Sequence, residues 1–251
     1  MKLSMKSIKK KKHVRNGSEG IINADTVFSV TEAYKAARTN VMFSLAGDDV
    51  CKKVIVTSAT PGEGKTTSCI NLAITFAQTE ARVLIIDADL RKPRVFQYMG
   101  VKNGSGLSDV LGGFVKLEEV IQKSPKYGFD CITSGHIPPN PAELLASRRM
   151  EELLKSLEDS YDYILIDTPP VTVVTDAAAM AKFATGAVIV TRQKQTTHAA
   201  VKKAISVLEF ADAKILGFIL NGANINSYAY RSKYGYRNGY GYGYGENSSG
   251  S

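Results

Sequence analysis

The 251-residue sequence predicts an α/β domain: a mostly parallel central sheet covered by helices on both faces. Six short apolar runs rich in β-branched residues recur at 53–58, 83–87, 129–133, 163–167, 187–191 and 214–220. They are nearly continuous in apolar residues, the pattern of strands buried on both faces. Amphipathic stretches of helical length lie between them, at about 64–79, 141–158, 174–183 and 196–210, and another at 29–45 precedes the first strand. With 44% hydrophobic residues, a chain of this length buries one good core.

Each boundary has its own signal. Asn140 is placed to cap a helix, Pro141 suits its first position, and Glu143 follows three residues after the cap. Composition divides the chain into a basic arm (1–25), a folded domain (26–226) and a tyrosine-rich tail (227–251) with no apolar periodicity, expected to be disordered. No apolar run reaches the 18 or so residues of a membrane helix. The basic N-terminus lacks the apolar segment of a secretory signal, so a cytoplasmic location is expected. Cys51, Cys69 and Cys131 are odd in number and widely spaced, which reads as buried reduced thiols.

The first strand runs into ATPGEGKTT (59–67), which then opens a helix. This is the context of a P-loop, in which glycines let the backbone wrap phosphates and successive N–H groups converge at a helix N-terminus. Pro61, Gly62, Glu63, Gly64, Lys65, Thr66 and Thr67 are the predicted ATP contacts, with Lys65 reaching the β- and γ-phosphates and the Thr66 hydroxyl ligating Mg²⁺. The first glycine of the consensus is Ala59 here. Two further strands end in acids, VLIIDADLRKP with Asp87 and Asp89 and YDYILIDTPP with Asp167. Strand C-termini of an open parallel sheet share one rim, so these carboxylates are expected to meet the P-loop, Asp167 acting on Mg²⁺. The prediction is a P-loop NTPase fold with a Mg-nucleotide site.

Asp87-Ala88-Asp89-Leu90-Arg91 resembles the Walker A′ motif of the bacterial tyrosine kinases of capsule and exopolysaccharide synthesis. The P-loop, ILIDTPP, SGHIPPNPAELL (134–145) and the terminal tyrosines extend the resemblance over nearly the whole chain. It implies a fold like that of division-site and partition ATPases, and an autokinase in which Lys65, Asp87 and Asp89 are catalytic. Asp87 would accept or orient the tyrosine proton; Asp89 and Asp167 would support the metal with Thr66. It also implies a membrane adaptor as activator at the inner face of the membrane, a tyrosine phosphatase for reversal, and ring assembly through an ExxRxxR helix. The matching positions are Glu32, Lys35 and Arg38, with lysine at the middle arginine. Asn221, closing the last strand, corresponds by analogy to an adenine contact. Partition-type ATPases carry a lysine after the first P-loop residue, where this chain has Thr60.

Seven of the twelve tyrosines, Tyr228, Tyr230, Tyr234, Tyr236, Tyr240, Tyr242 and Tyr244, fall within seventeen residues. Beside a kinase-like site they read as phosphoacceptors, reached in trans within an oligomer. Seven phosphotyrosines would add roughly −10 to −14 charge, more than the chain's net +8, and so favour dissociation. The alternatives are a partition- or division-type P-loop ATPase and a nucleotide-regulated nucleic-acid binder using the aromatic tail and the arm cations Lys6, Lys9, Lys10, Lys11, Lys12 and Arg15. The arm also suits anionic lipid, or is a solvated leader. No zinc-finger spacing or RNP motif supports nucleic acid.

Overall fold

A computed structural model describes residues 20–47, 51–124 and 126–223. The six expected strands form, as β1 (Lys52–Ser58), β2 (Val83–Asp87), β4 (Asp130–Ile132), β5 (Tyr163–Asp167), β6 (Gly186–Arg192) and β7 (Ile215–Asn221). A strand the sequence reading did not anticipate, β3 (Ile121–Lys123), pairs antiparallel with β4 at one edge. The order is β3-β4-β2-β5-β1-β6-β7, with every other pairing parallel.

Successive residues of a strand face opposite sides of the sheet, and each side has its own core. Val54, Val56, Ile85, Leu165 and Val190 pack against α1 (Phe28–Ser44) and α2 (Lys65–Ala77), joined by Val95 and Met99 of the short α3 (Val95–Met99). Ile55, Leu84, Ile86, Ile164, Ile166 and Ile189 face the other way. They meet α4 (Leu107–Gly112), α5 (Pro141–Leu145), α6 (Arg148–Ser156), α7 (Asp176–Met180) and α8 (His198–Phe210). At about 1.5–3 kcal/mol for each fully buried aliphatic side chain, this two-sided burial explains the absence of polar alternation. Cys51, Cys69 and Cys131 are buried free thiols.

Two helical expectations need correction. The stretch 141–158 is two helices, because the Ser147 hydroxyl accepts from the Met150 amide and starts α6 afresh. Asn140 does not cap α5 through its side chain; its amide nitrogen donates to Glu143 at 2.8 Å. The helices α3 and α4, of five and six residues, are too short to announce themselves by periodicity.

The boundary drawn at residue 25 also moves. Ile21 and Ile22 are buried in the α1/α2 core. Their backbone is clasped by Asn71 of α2, whose Oδ1 accepts from the Ile22 amide at 2.9 Å while Nδ2 donates to the Gly20 carbonyl at 2.9 Å. The chain ahead of α1 is thus part of the domain from Gly20 onward. Asn71→Ala removes both bonds in a buried setting and is expected to cost about 1–3 kcal/mol, read as a lower urea midpoint with an unchanged m-value.

Candidate active site

The site is built where β1, β2 and β5 end side by side. Parallel register sets Asp87 opposite Asp167 on β2 and β5, and Val56 opposite Asp167 on β1. Registered neighbours in a parallel sheet lie about 4.8 Å apart and project to the same face. The sheet itself therefore forces two carboxylates together beneath the loop that follows β1.

That loop needs glycine at Gly64, which sits at φ 90° as the N-cap of α2. A Cβ there would stand 2.0 Å from Asn221 Nδ2. Asn221 donates to the Glu63 carbonyl at 3.0 Å, so the end of β7 presses on the turn into α2. The Glu63 side chain is fully buried and braces the loop from within. It accepts from the Thr60 amide and the Thr60 hydroxyl, each at 2.8 Å, and from the Thr196 hydroxyl after β6. Pro61, Gly62, Gly64, Lys65, Thr66, Thr67 and Asn221 line a cleft of about 640 Å³, and the Glu63 side chain lies beneath the loop as an internal strut.

Lys65 and Thr66 open α2 and reach both acidic strand ends. Lys65 Nζ lies 2.8 Å from Asp89 Oδ2 and 3.5 Å from Asp167 Oδ1, and the Thr66 hydroxyl donates to Asp167 Oδ2 at 2.7 Å. Burial opposes the lysine's charge, but Asp167 and Asp89 outweigh it and hold the ammonium above its usual range. Asp167 is completely buried and shifted upward, chiefly by desolvation, with Asp89 adding repulsion against the pull of Lys65 and Thr66.

Asp87 lies behind Asp89 and is fully buried. Its oxygens accept from the amides of Asp89 at 3.2 Å, Arg94 at 3.1 Å and Val95 at 3.0 Å, fixing the loop between β2 and α3. Desolvation first and the Asp167 charge second push its carboxyl up to about 8. Asp89 Oδ1 adds a bond from the Lys92 amide at 3.0 Å.

The residues fit a magnesium ion delivered with a nucleotide. Among buried side-chain oxygens, Asp167 Oδ1 has no hydrogen-bond partner, an open valence beside the Thr66 hydroxyl. No group of three or more His, Cys, Asp or Glu suited to a metal occurs among the described residues. Mg²⁺ is held by one or two carboxylates plus phosphate oxygens and water. Thr66 and Asp167 are the side chains best placed to hold it.

The sequence reading missed the far wall of the cleft. Arg91, Lys92, Arg94 and Tyr98 follow β2, and Tyr34 projects from α1. Arg91 forms a two-pronged pair with the buried Asp176, Nε to Oδ2 at 2.9 Å and Nη2 to Oδ1 at 3.0 Å, tying this loop to the start of α7. The signal was present in DADLRKPR, whose cations immediately follow the acids.

The other expected sites separate. Glu32 and Lys35 pair with each other at 2.8 Å, whereas Arg38 Nη1 donates to the Thr75 carbonyl of α2 at 2.8 Å. The basic arm through residue 19 and all seven tail tyrosines lie outside the described residues. No helix among the described residues is long and apolar enough to cross a membrane.

Gly64→Ala introduces a Cβ into Asn221 at a positive φ, so at least a tenfold loss of affinity for a fluorescent ATP analogue is expected in an equilibrium titration. Retention of wild-type affinity would mean that the loop can shift without losing the phosphate cradle.

Comparison with known proteins agrees with this geometry. Residues 49–236 match the family model described as ParA, NUBPL iron-transfer P-loop NTPase. Tyrosine-protein kinase YwqD of Bacillus subtilis is 42% identical over 204 residues, which are 81% of this chain and 86% of that protein. The putative tyrosine-protein kinase EpsB of Ralstonia solanacearum is 38% identical over 221 residues, 86% of this chain; the chain spans only 29% of that longer relative. The solved kinase domain of the Escherichia coli tyrosine kinase ETK superposes with a TM-score of 0.76 at 38% identity, covering 86% of this chain and 81% of that one. The chain belongs to the bacterial tyrosine-protein kinases built on the ParA-type P-loop fold.

Proposed function

We propose that the protein is an ATP- and Mg²⁺-dependent tyrosine autokinase that phosphorylates its own C-terminal tyrosine cluster in trans. The observation that carries this reading is the ammonium of Lys65 held between Asp89 and Asp167 beside Thr66, in a chain of the tyrosine-kinase family.

Phosphoryl transfer is governed by positioning and electrostatic stabilisation. The amides opening α2 cradle the β- and γ-phosphates, and Lys65 leaves Asp89 to meet them. Thr66 and Asp167 would hold Mg²⁺, with Asp89 in support, and the ion would supply charge neutralisation at the transferring phosphoryl group. Asp87 accepts or orients the tyrosine proton from behind Asp89, which lines the cleft. The placement of Asp87 at the end of β2 and its three backbone bonds fix it relative to the loop between β2 and α3. Asp87→Asn is expected to lose phosphotransfer while keeping nucleotide affinity, and Asp89→Asn to lose the Mg²⁺ dependence of that affinity.

The wider role follows from the family resemblance: control of capsule or exopolysaccharide synthesis, activation by a membrane adaptor that recruits the kinase to the inner membrane face, reversal by a tyrosine phosphatase, and a ring held through Glu32, Lys35 and Arg38. The ParA-family match favours a second reading, a partition-type ATPase. Against it stands Thr60, whose amide and hydroxyl are both committed to Glu63 where those ATPases present a lysine.

Purified protein incubated with Mg-ATP and an adaptor fragment is expected to gain phosphate on tyrosines between 228 and 244 by mass spectrometry, and Lys65→Met to gain none. No tail phosphotyrosine under these conditions, with a DNA-stimulated ATPase rate, would favour the second reading. Light scattering before and after phosphorylation is expected to show a smaller assembly afterwards; equal sizes would remove the charge-driven dissociation.

A further inference from the structure

Lys92 and Arg94 have no role in the reaction as described, yet they line the same cleft as Lys65 and Thr66. Both are exposed. Neither has an acidic partner among the described residues, whereas their neighbour Arg91 is neutralised by Asp176. Their backbones are the very ones clamped by the active-site acids: the Lys92 amide donates to Asp89 and the Arg94 amide to Asp87. The backbone carrying these two unpaired cations is therefore fixed relative to Asp87 and Asp89, while their exposed side chains reach into the cleft.

The charge of the substrate decides what this wall reads. Residues 227–251 carry Arg231, Lys233 and Arg237 against the single acid Glu246. An unmodified tail is thus repelled by Lys92 and Arg94. A phosphotyrosine, at about −1.5 to −2 charge with three acceptor oxygens, is attracted. The acceptors also come in sets two residues apart: Tyr228 and Tyr230, Tyr234 and Tyr236, and Tyr240, Tyr242 and Tyr244. In an extended peptide residues two apart share a face and lie about 6.6 Å from each other. Because Lys92, Arg94, Lys65 and Thr66 line one cleft, a single extended segment crossing it can present two such residues to it.

Resting on the autokinase reading, we propose that Lys92 and Arg94 bind a phosphotyrosine already made and so present the tyrosine two residues away for the next transfer. Each round breaks the bond between the γ-phosphorus and the β–γ bridging oxygen of ATP and forms one between that phosphorus and the tyrosine oxygen. The phenolic proton passes to the active-site carboxylate, and ADP leaves. The first phosphorylation in each set is slow and the later ones faster, so the cluster fills set by set.

The test uses the whole 251-residue chain with Mg-ATP and an adaptor fragment, and two added peptides spanning 238–247, one unmodified and one carrying phosphotyrosine at 242. Transfer to Tyr240 and Tyr244 is followed by mass spectrometry. The expected kcat/KM is about tenfold higher for the phosphorylated peptide, chiefly through KM. The ratio should fall to about one in Lys92→Ala/Arg94→Ala and be retained in the charge-preserving Lys92→Arg/Arg94→Lys. Peptide anisotropy on the ADP-bound protein should show the same order of affinities, which separates docking from catalysis. Equal rates for the two peptides, or an unaltered ratio in the alanine pair, would overturn the inference and leave the autokinase reading standing. Loss of nucleotide affinity in the alanine pair would assign these cations to ATP instead. No transfer to either peptide while the chain's own tail gains phosphotyrosine would also overturn the inference, whereas no phosphotyrosine on either peptide or tail would defeat the autokinase reading itself.

Discussion

The lysine ammonium shared between Asp89 and Asp167 is the constraint around which the rest of the molecule is arranged. Three carboxylates meet one ammonium at the buried end of the sheet, and the negative charge exceeds the positive. Buried charge is tolerated only when paired and hydrogen-bonded. The sequence answers with backbone amides for Asp87, a hydroxyl for Asp167 and an amide for Asp89. The remaining imbalance appears as the upward shift of Asp87 and Asp167, driven first by desolvation. A divalent cation placed beside Asp167 would relieve that imbalance, so the fold is least comfortable where it is most useful.

Much of this was legible in the sequence because strand ends announce themselves. Uninterrupted apolar runs ending in Asp87 and Asp167 predicted a two-sided sheet with acids at one rim, and the register delivers both to one place. The glycine at 64 and the lysine and threonine after it were equally plain. What escaped depends on contacts between distant segments. Glu63 looked like a phosphate-loop residue, and only the approach of Thr196, 133 residues away, makes it a strut. Ile21 and Ile22 sat in a segment read by composition as an arm, although two apolar residues opposite Asn71 are enough to dock it. The split between α5 and α6 turned on one hydroxyl at Ser147, which a periodicity window averages away.

The kinase and partition-type readings share this machinery, so the nucleotide site alone does not separate them. The difference lies at its margins. Thr60 turns inward to Glu63, at the position where partition-type ATPases carry a lysine. The loop after β2 meanwhile turns its cations outward, toward whatever enters the cleft.

Arg38 carries one further consequence. Its Nη1 is bonded to the Thr75 carbonyl and its Nε is buried with no partner. A donor in that condition costs about 1–3 kcal/mol. Any assembly that recruits this guanidinium must take it from α2, exchanging an internal tether for an external one while giving the idle nitrogen an acceptor.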